Sequence, residues 1–456
     1  MGSGTGLDPR RGPAENGATM ARVGALLLVL LFSGRAFAND WPTLAHDPRR
    51  TGYTPEFVAP PFREAWRRDL GEMIDVRVQP IISEGVVLVT TYRGRVHALD
   101  AGTGRPRWIF ETRGPIFHSP SVWGGRVFVA SQDRCVYALH LADGREIWRF
   151  ETGEGIHASP LVEEGVVLVG SRDGFFYALE AGTGGERWRF RTEGPILTTA
   201  AAEGGLVYFA SEDLHAYALQ ISDGKLRWKR RLVGQSVRSY WPVVSESFVY
   251  FRTLPVRSFW QHAYNERADS GNPDRTSRVA ALFKGDPWSQ TFFALDKRSG
   301  EETVFPVLWT AGGGTVPHPP VLLPGGRLAT PAPAGERTRS SGPTSLALIE
   351  ESSRRVRDGY LRVLGDESYG FSASGPWIFS SHHDQLQVVD SRREPDPERN
   401  PITLLGRRDR PVDERAPQGF GNHDNHPGWH AASVARGHVY WITGGSWVFA
   451  LRGGGG

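Results

Sequence analysis

The sequence predicts an all-β fold, an eight-bladed β-propeller made of four-stranded blades. Three observations lead to this prediction. A short apolar motif recurs every 40 residues, a tryptophan follows each copy, and short valine-rich runs bounded by Gly and Asp lie between the copies. The repeats show no helical periodicity. A unit of this length with about four short strands corresponds to one propeller blade.

The recurring motif has its central alanine at positions 98, 138, 178 and 218, within the sequences HALD, YALH, YALE and YALQ. A glycine-containing turn follows every copy, and a tryptophan comes after the turn. Recurrence in register indicates a packing role rather than a ligand-binding one. We therefore predict that one set of tryptophans packs between blades: Trp66, Trp108, Trp148, Trp188 and Trp228.

Weaker copies of the motif continue at Ala294-Leu295, Ala347-Leu348, Val388-Val389 and Ala450-Leu451, which gives eight in total. Their spacings of 76, 53, 41 and 62 residues imply insertions in blades five, six and eight. We place these insertions at about 254–290, 331–344 and 392–425.

The two ends of the repeat region are predicted to share one blade. The sequence around Trp66 resembles the fourth-strand sequence around Trp148, and the chain stops soon after the third strand of its last repeat. An N-terminal strand that completes the last blade closes the ring and removes the exposed sheet edges.

The N-terminal region has the order of a secretory signal. A basic residue, the apolar run 23–32 and the small-residue sequence Ala36-Phe37-Ala38 predict a signal peptide over 20–38. Residues 1–19 are interpreted as a disordered leader or a start-site artefact, and 39–456 as one propeller domain. The apolar run is shorter than the ~20 residues that span a bilayer. We expect a periplasmic or secreted protein without a transmembrane anchor after cleavage.

Composition restricts the possible partners. Cys135 is the only cysteine, so the chain forms no internal disulfide and offers no lipid-attachment site after the predicted cleavage. The formal charge of +3 includes four arginines and two acidic residues within 1–38, which leaves +1 for the mature chain. Such a small charge argues against nucleic acid as a partner. We expect a monomer that engages a protein or an envelope component.

The closest copies of the motif, Ala98–Trp108 and Ala178–Trp188, have the form Ala-Leu-Asp/Glu-x-x-Thr-Gly-x-x-x-Trp. This form resembles the pyrroloquinoline-quinone (PQQ)-like propeller repeat. The resemblance covers about 40–456 and implies an eight-bladed ring. Catalytic members of the family hold the quinone over the channel with a calcium ion, and many of them have a disulfide between adjacent cysteines. This chain has no such cysteine pair. Its residues also do not match the family's calcium ligands or its catalytic Asp. Non-catalytic members resemble a scaffold lipoprotein of outer-membrane assembly, whose lipid-bearing cysteine is absent here.

The family's strand order, from channel to rim, implies that the loops between blades share one face. His118 and His157 lie on that face, each shortly before the innermost strand of its blade. His430 has the register of His118, and Arg77 has the register of His157. His318 approximates the His157 register in blade six, and a loop at 421–427 opens on the same side. The predicted binding residues are Arg77, His118, His157, His318, His423, Asp424, His426 and His430. This composition suits a transition metal, an anionic ligand or acid–base chemistry.

Two functions follow from these residues. The first is a non-catalytic binding scaffold without a cofactor, because the sequence shows no nucleophile–base pair and no carboxylate pair. The second is an oxidoreductase that depends on PQQ or a divalent metal at the histidine-rich channel mouth. Shared topology does not by itself bring the histidines into contact, and solvated or capping histidines are common in loops.

Overall fold

The computed structural model describes residues 1–2, 40–234, 236–237, 241–254, 281, 283–285, 287–303, 318–333, 344–353, 356–357, 362–363, 370–382, 385–394, 402–405, 430–443 and 445–454. Eight antiparallel sheets are arranged as the blades of a propeller around a central channel. The prediction of an eight-bladed, all-β ring is confirmed.

Blades one to four repeat one plan, in which four consecutive strands run from the channel to the rim. Their strands, in this order, are Ile81–Ser83, Val86–Thr90, Arg95–Asp100 and Pro106–Glu111; Ser121–Trp123, Arg126–Ala130, Cys135–His140 and Glu146–Glu151; Leu161–Glu163, Val166–Gly170, Phe175–Glu180 and Glu186–Arg191; and Ala201–Glu203, Leu206–Ser211, His215–Gln220 and Leu226–Arg231.

Blades five to eight keep the plan with additions. Their strands are Val243–Val244, Phe248–Arg252, Phe292–Asp296 and Glu302–Thr303; Val321–Leu323, Arg327–Pro333, Thr344–Glu350, Val356–Arg357 and Arg362–Val363; Gly370–Ser374, Trp377–His382, Gln385–Asp390 and Ile402–Leu405, with Tyr53–Thr54 parallel to the first; and Ser433–Ala435, His438–Thr443, Trp447–Gly453 and Phe62–Asp69. A 3₁₀ turn, Pro287–Ser289, precedes the third strand of blade five.

The predicted insertions contain regular structure at their edges. Strands of blade six extend to Pro333 and begin again at Thr344, so the predicted insertion 331–344 is bordered by paired backbone. The strand Ile402–Leu405 lies within the predicted insertion 392–425 and forms the rim of blade seven. The predicted signal peptide lies outside the described residues. Within the described part of the chain, no helix is long and apolar enough to cross a membrane.

The first and last strands of the propeller meet as predicted. Phe62–Asp69 pairs antiparallel with Trp447–Gly453, which places Trp66 opposite Ala450. Blade eight then contacts blade one, where the Ser433 hydroxyl donates to the carbonyl of Pro80 at 2.6 Å. This confirms ring closure by the N-terminal strand, which removes the free edge of the last blade.

One tryptophan of each early blade packs against the following blade. The Trp148 indole N–H donates to the carbonyl of Ala181 in the next blade at 3.1 Å, and its ring covers Gly184. Gly184 has φ +75°, and a Cβ there would lie 2.7 Å from the indole, so both the conformation and the space require glycine. Trp66, Trp108, Trp188 and Trp228 make the same type of bond to the following blade, at 2.7–3.1 Å.

The alanine of the repeat motif is explained by the same packing. Ala138 lies directly opposite Trp148 in the neighbouring strand, as Ala98 lies opposite Trp108, and both alanines are fully buried. A small side chain at this position leaves room for the indole. The following leucine, represented by Leu139, points into the core between blades.

Residues 40–54, here called the channel segment, line the centre of the ring. Their backbone carbonyls accept from the innermost strands of successive blades: Pro42 from Val122, Pro48 from Ala202, Arg49 from Val244, Thr51 from Leu322 and Gly52 from Ala373, all at 2.7–2.9 Å. Trp41 also exchanges two backbone bonds with Ile82 of blade one. Residues 40–54 have no strand pattern of their own, so this arrangement was not predictable from a local pattern.

We expect Trp148→Phe to lower the free energy of unfolding by about 1–2 kcal/mol, because the phenyl ring keeps most of the packing but leaves the Ala181 carbonyl without its donor. Trp148→Ala should cost about 3–5 kcal/mol. Urea unfolding measures both values. Ile109→Ala, at a side chain that is 54% exposed, is the control and should change stability by less than about 0.5 kcal/mol. Equal effects for Trp148→Phe and Ile109→Ala would contradict the interblade bond.

Candidate functional site

Arg77 and Asp75 form a buried ion pair before the innermost strand of blade one. The Arg77 guanidinium donates to both carboxylate oxygens, with Nε–Oδ1 at 2.7 Å and Nη2–Oδ2 at 2.8 Å. The Asp75 side chain is only 1% exposed. Burial alone would raise the pKa of Asp75, but the hydrogen bonds and the charge of Arg77 lower it to about 2. The pair is therefore ionised at neutral pH and holds Arg77 in place.

His157 binds the same guanidinium from blade three. The Arg77 Nη1 lies 3.0 Å from His157 Nε2. Because a guanidinium only donates, Nε2 accepts, and the proton of the neutral imidazole is on Nδ1. Burial and then the positive charge of Arg77 lower the pKa of His157 to about 4. His157 is therefore uncharged at neutral pH.

Aromatic rings flank this pair. The Phe117 ring lies 5.2 Å from the His157 ring and 5.2 Å from the Tyr92 ring, between centroids. The Arg77 guanidinium carbon is 5.8 Å from the Phe117 centroid, within range of a cation–π contact. Burial, followed by the adjacent Asp75 carboxylate, raises the pKa of the Tyr92 phenol. Phe117 and Tyr92 are half-buried and form a partly apolar wall at the channel mouth.

His118 lies edge-on to His157, with ring centroids 5.5 Å apart. It is 4% exposed, and neither ring nitrogen has a hydrogen-bond partner among the described residues. Burial, and after it the charge of Arg77, hold the pKa of His118 well below its ordinary value. The side chain is thus a neutral imidazole whose N–H donor and nitrogen acceptor are both unoccupied, which is costly unless a ligand or water binds them.

His430 and His318 have different surroundings from this group. His430 lies in the register of His118, and its Nδ1–H donates to the Val78 carbonyl at 2.7 Å, which joins blade eight to blade one. His318 stands three residues before its innermost strand, so it shares the position of His118 rather than that of His157. It packs against Trp241 of blade five at 4.9 Å between ring centroids.

Of the eight predicted binding residues, the structure brings Arg77, His118 and His157 together. His430 is at the neighbouring blade and His318 is in blade six. His423, Asp424 and His426 lie outside the described residues. Among the described residues, direct contacts between predicted binding side chains therefore join blades one, two and three.

The sequence interpretation missed three contributors to the site: Asp75, Tyr92 and Phe117. An acid two residues before Arg77 was a usable signal, because the Arg77 backbone N–H donates to Asp75 Oδ1 at 2.9 Å in a short local turn. Phe117 precedes a predicted site histidine and was open to the same register argument. Tyr92 follows the second strand of blade one, and no register argument pointed to it.

A metal centre is not formed by this part of the chain. Among the residues that the structure describes, no group of three or more His, Cys, Asp and Glu side chains is arranged to hold a metal ion. Asp75, the carboxylate within the cluster, has both oxygens bound by Arg77.

Comparison with known proteins fits the repeat seen in the fold. The profile of the family described as outer membrane protein assembly factor BamB matches residues 62–156 and 132–253. The quinohemoprotein alcohol dehydrogenase from Comamonas testosteroni superposes with a TM-score of 0.64 at 15% identity, over 94% of this chain and 82% of that one. The chain carries the pyrroloquinoline-quinone-like propeller repeat.

A second quinohemoprotein alcohol dehydrogenase, ADHIIG from Pseudomonas putida HK5, gives a TM-score of 0.60 at 14% identity, again over 94% of this chain and 82% of that one. At such low identities these two similarities establish the fold alone. A sequence relative is the 1-butanol dehydrogenase (cytochrome c) of Thauera butanivorans, 31% identical over 108 residues. The matching segment spans 23% of this chain and 16% of that enzyme.

These relatives correct one expectation. The prediction of a non-catalytic binding scaffold is wrong, because the sequence relative described above is a dehydrogenase. That prediction rested on the absence of a nucleophile–base pair and of a carboxylate pair from the sequence. Such pairs belong to particular types of catalytic site, and their absence carries no information on catalysis by other residues.

Buried neutral histidines predict a fold that weakens in acid. The pKa values of His318 and His430 are lowered to about 4, first by burial, whereas the unfolded chain has pKa values of about 6.5. The unfolded state binds more protons between these values, so stability falls as the pH drops from 6.5 toward 4. From pH 7 to pH 5 each such histidine should cost about 2 kcal/mol.

Urea unfolding at several pH values measures this dependence. His430→Asn retains an N–H donor for Val78 but does not titrate, so it should flatten the curve relative to the unmodified protein. His140→Asn, at an exposed strand end, is the control. A free energy of unfolding that is constant from pH 7 to pH 5 would contradict the buried neutral state.

Proposed function

We propose that the chain is an exported oxidoreductase that oxidises an alcohol at the channel mouth formed by Arg77, His118 and His157. The observation that carries the proposal is the juxtaposition of a fixed guanidinium with a buried, neutral imidazole whose nitrogens are unoccupied. Alcohol oxidation needs a proton acceptor and an electron acceptor. The similarity to a 1-butanol dehydrogenase supports this reaction class.

The described residues match part of the chemistry of PQQ, which is a flat quinone with three carboxylates. Arg77 is suited to a carboxylate, and the partly apolar wall of Phe117 and Tyr92 is suited to a flat ring. The unoccupied N–H of His118 is a further donor. The same residues do not fit a calcium ion, since they include no free carboxylate cluster. When bound, the quinone supplies the acceptor for the two electrons that leave the alcohol.

His118 is the residue best suited to accept the hydroxyl proton. Asp75 is held by both oxygens to Arg77, and the lone pair of His157 Nε2 is occupied by Arg77 Nη1. The acceptor nitrogen of His118 has no such partner among the described residues. Loss of this proton, together with a hydrogen and its two electrons from the carbinol carbon, converts a primary alcohol into an aldehyde.

The proposed partner and location rest on two further observations. The name of the butanol dehydrogenase includes cytochrome c, so a small electron-transfer protein is the proposed partner. The basic, apolar and small-residue order of 20–38 supports export.

The first test is reconstitution of the purified full chain with PQQ, with and without Ca²⁺, and measurement of primary-alcohol-dependent reduction of an artificial dye and of cytochrome c. We expect activity in the presence of PQQ, reduced at least 100-fold by His118→Ala because the proton acceptor is lost. His318→Ala removes a partly buried histidine of blade six and should retain activity. Absence of any alcohol-dependent reduction, or equal loss in both variants, would contradict the proposal.

A second test addresses Arg77 by direct binding. Arg77→Lys keeps the charge near Asp75 but cannot bind Asp75 with two parallel bonds and His157 at the same time. We expect the Kd for PQQ, measured by quenching of intrinsic fluorescence, to rise at least 10-fold. Arg95→Lys, which changes a partly exposed ion pair of the rim, is the matched control and should leave the Kd unchanged. Unchanged PQQ affinity in Arg77→Lys would remove Arg77 from the site.

A further inference from the structure

Arg50 of the channel segment is a fully buried cation that hydrogen-bonds only to neutral groups. It is 0% exposed. Its Nε donates to the Ala200 carbonyl at 3.0 Å, and its Nη1 donates to the Leu44 carbonyl at 2.6 Å and to the Thr43 hydroxyl at 2.7 Å. Its Nη2 has no hydrogen-bond partner in the part of the chain that the structure describes.

The carboxylate whose charge acts on Arg50 is engaged elsewhere. Asp47 accepts from the Thr51 backbone N–H at 3.1 Å and from the Thr51 hydroxyl at 2.6 Å, and makes no side-chain bond to Arg50. Burying a guanidinium without a bonded counter-charge costs several kcal/mol. Burial accordingly lowers the pKa of Arg50 to about 9, and the charge of Asp47 offsets only part of the effect.

The Thr43 hydroxyl that accepts from Arg50 is itself held by the inner wall of the ring. It bonds to the Ser121 hydroxyl of blade two at 2.7 Å, and Ser121 donates in turn to the Pro160 carbonyl. The Ala200 carbonyl, which accepts from Arg50 Nε, directly precedes the innermost strand of blade four. Among the described residues, Arg50 is therefore fixed inside the ring by neutral acceptors, with the N–H groups of Nη2 left over.

We propose that a small monovalent anion, a halide ion or the carboxylate of a small acid, binds inside the channel at Arg50 Nη2. Arg50 supplies two N–H donors and a positive charge at this atom. A water molecule could satisfy the donors, but only an anion also compensates the buried charge. The site does not depend on the proposed alcohol oxidation, because an anion would stabilise this cation in the absence of any turnover.

The test is thermal unfolding of the full chain, without PQQ, in sodium gluconate in which chloride, bromide or formate replaces gluconate at constant ionic strength. Gluconate is too bulky for an enclosed site. We expect a saturable rise in Tm, as for one-site ligand binding. A rise with chloride and bromide only identifies a halide site, and a rise with formate identifies a carboxylate site. The same Tm in all four salts would overturn the proposal.

Arg50→Met should abolish this dependence, because it removes the charge and the donors but keeps an unbranched side chain. Arg49→Met is the matched control, since Arg49 is adjacent in the same segment but forms a partly exposed pair with Glu203, and it should retain the dependence. If Arg50→Met does not fold, crystals of the unmodified protein soaked in bromide decide the question. An anomalous peak beside Arg50 Nη2 supports the site, whereas peaks confined to the surface overturn it.

Discussion

The contact between a tryptophan of one blade and the turn of the next determines how the ring is built. An indole such as Trp148 needs a carbonyl acceptor across the blade boundary, a glycine with positive φ beneath its ring, and a small residue opposite it in its own sheet. Three positions of the repeat are fixed by this one contact. Since each tryptophan joins a blade to its successor, the contact also fixes the angle between blades and therefore the position of every loop at the channel mouth.

This coupling explains why the fold was predictable from the sequence. Alanine, glycine and tryptophan recur at constant spacing in blades one to four because all three serve the same contact, so the period is visible without any structure. The Trp66 strand was assigned to the last blade on the same basis, and it pairs there with Trp447–Gly453. In blades five to eight the motif is weaker, and the strand Ile402–Leu405 lies within the predicted insertion 392–425.

The candidate site was predictable only as far as it follows the repeat. Arg77 and His157 occupy equivalent positions of blades one and three, and His118 lies one position further along in blade two, so a register argument found them. Arg50, the basis of the proposed anion site, comes from a segment with no repeat, and its place depends on backbone bonds to several blades that no local pattern encodes. Function was predicted least well, because the lack of a nucleophile–base pair and of a carboxylate pair in the sequence favoured a scaffold. The contacts of Arg77 with Asp75 and His157 become visible only in three dimensions.

The channel segment has a consequence for how the molecule reaches its native state. The segment precedes the propeller in the chain, yet its residues bond to strands from the start, the middle and the end of the propeller. Just after the segment, the Val58 backbone N–H donates to the Ser374 hydroxyl, which is 316 positions away. Contacts of such large sequence separation carry a high loop-closure entropy and form late. The early blades can assemble by local pairing, but the central filling has to wait for blades seven and eight. Until they arrive, the inner strands remain open to water and to other chains, so synthesis of the last third of the polypeptide is the stage at which aggregation competes most strongly with folding.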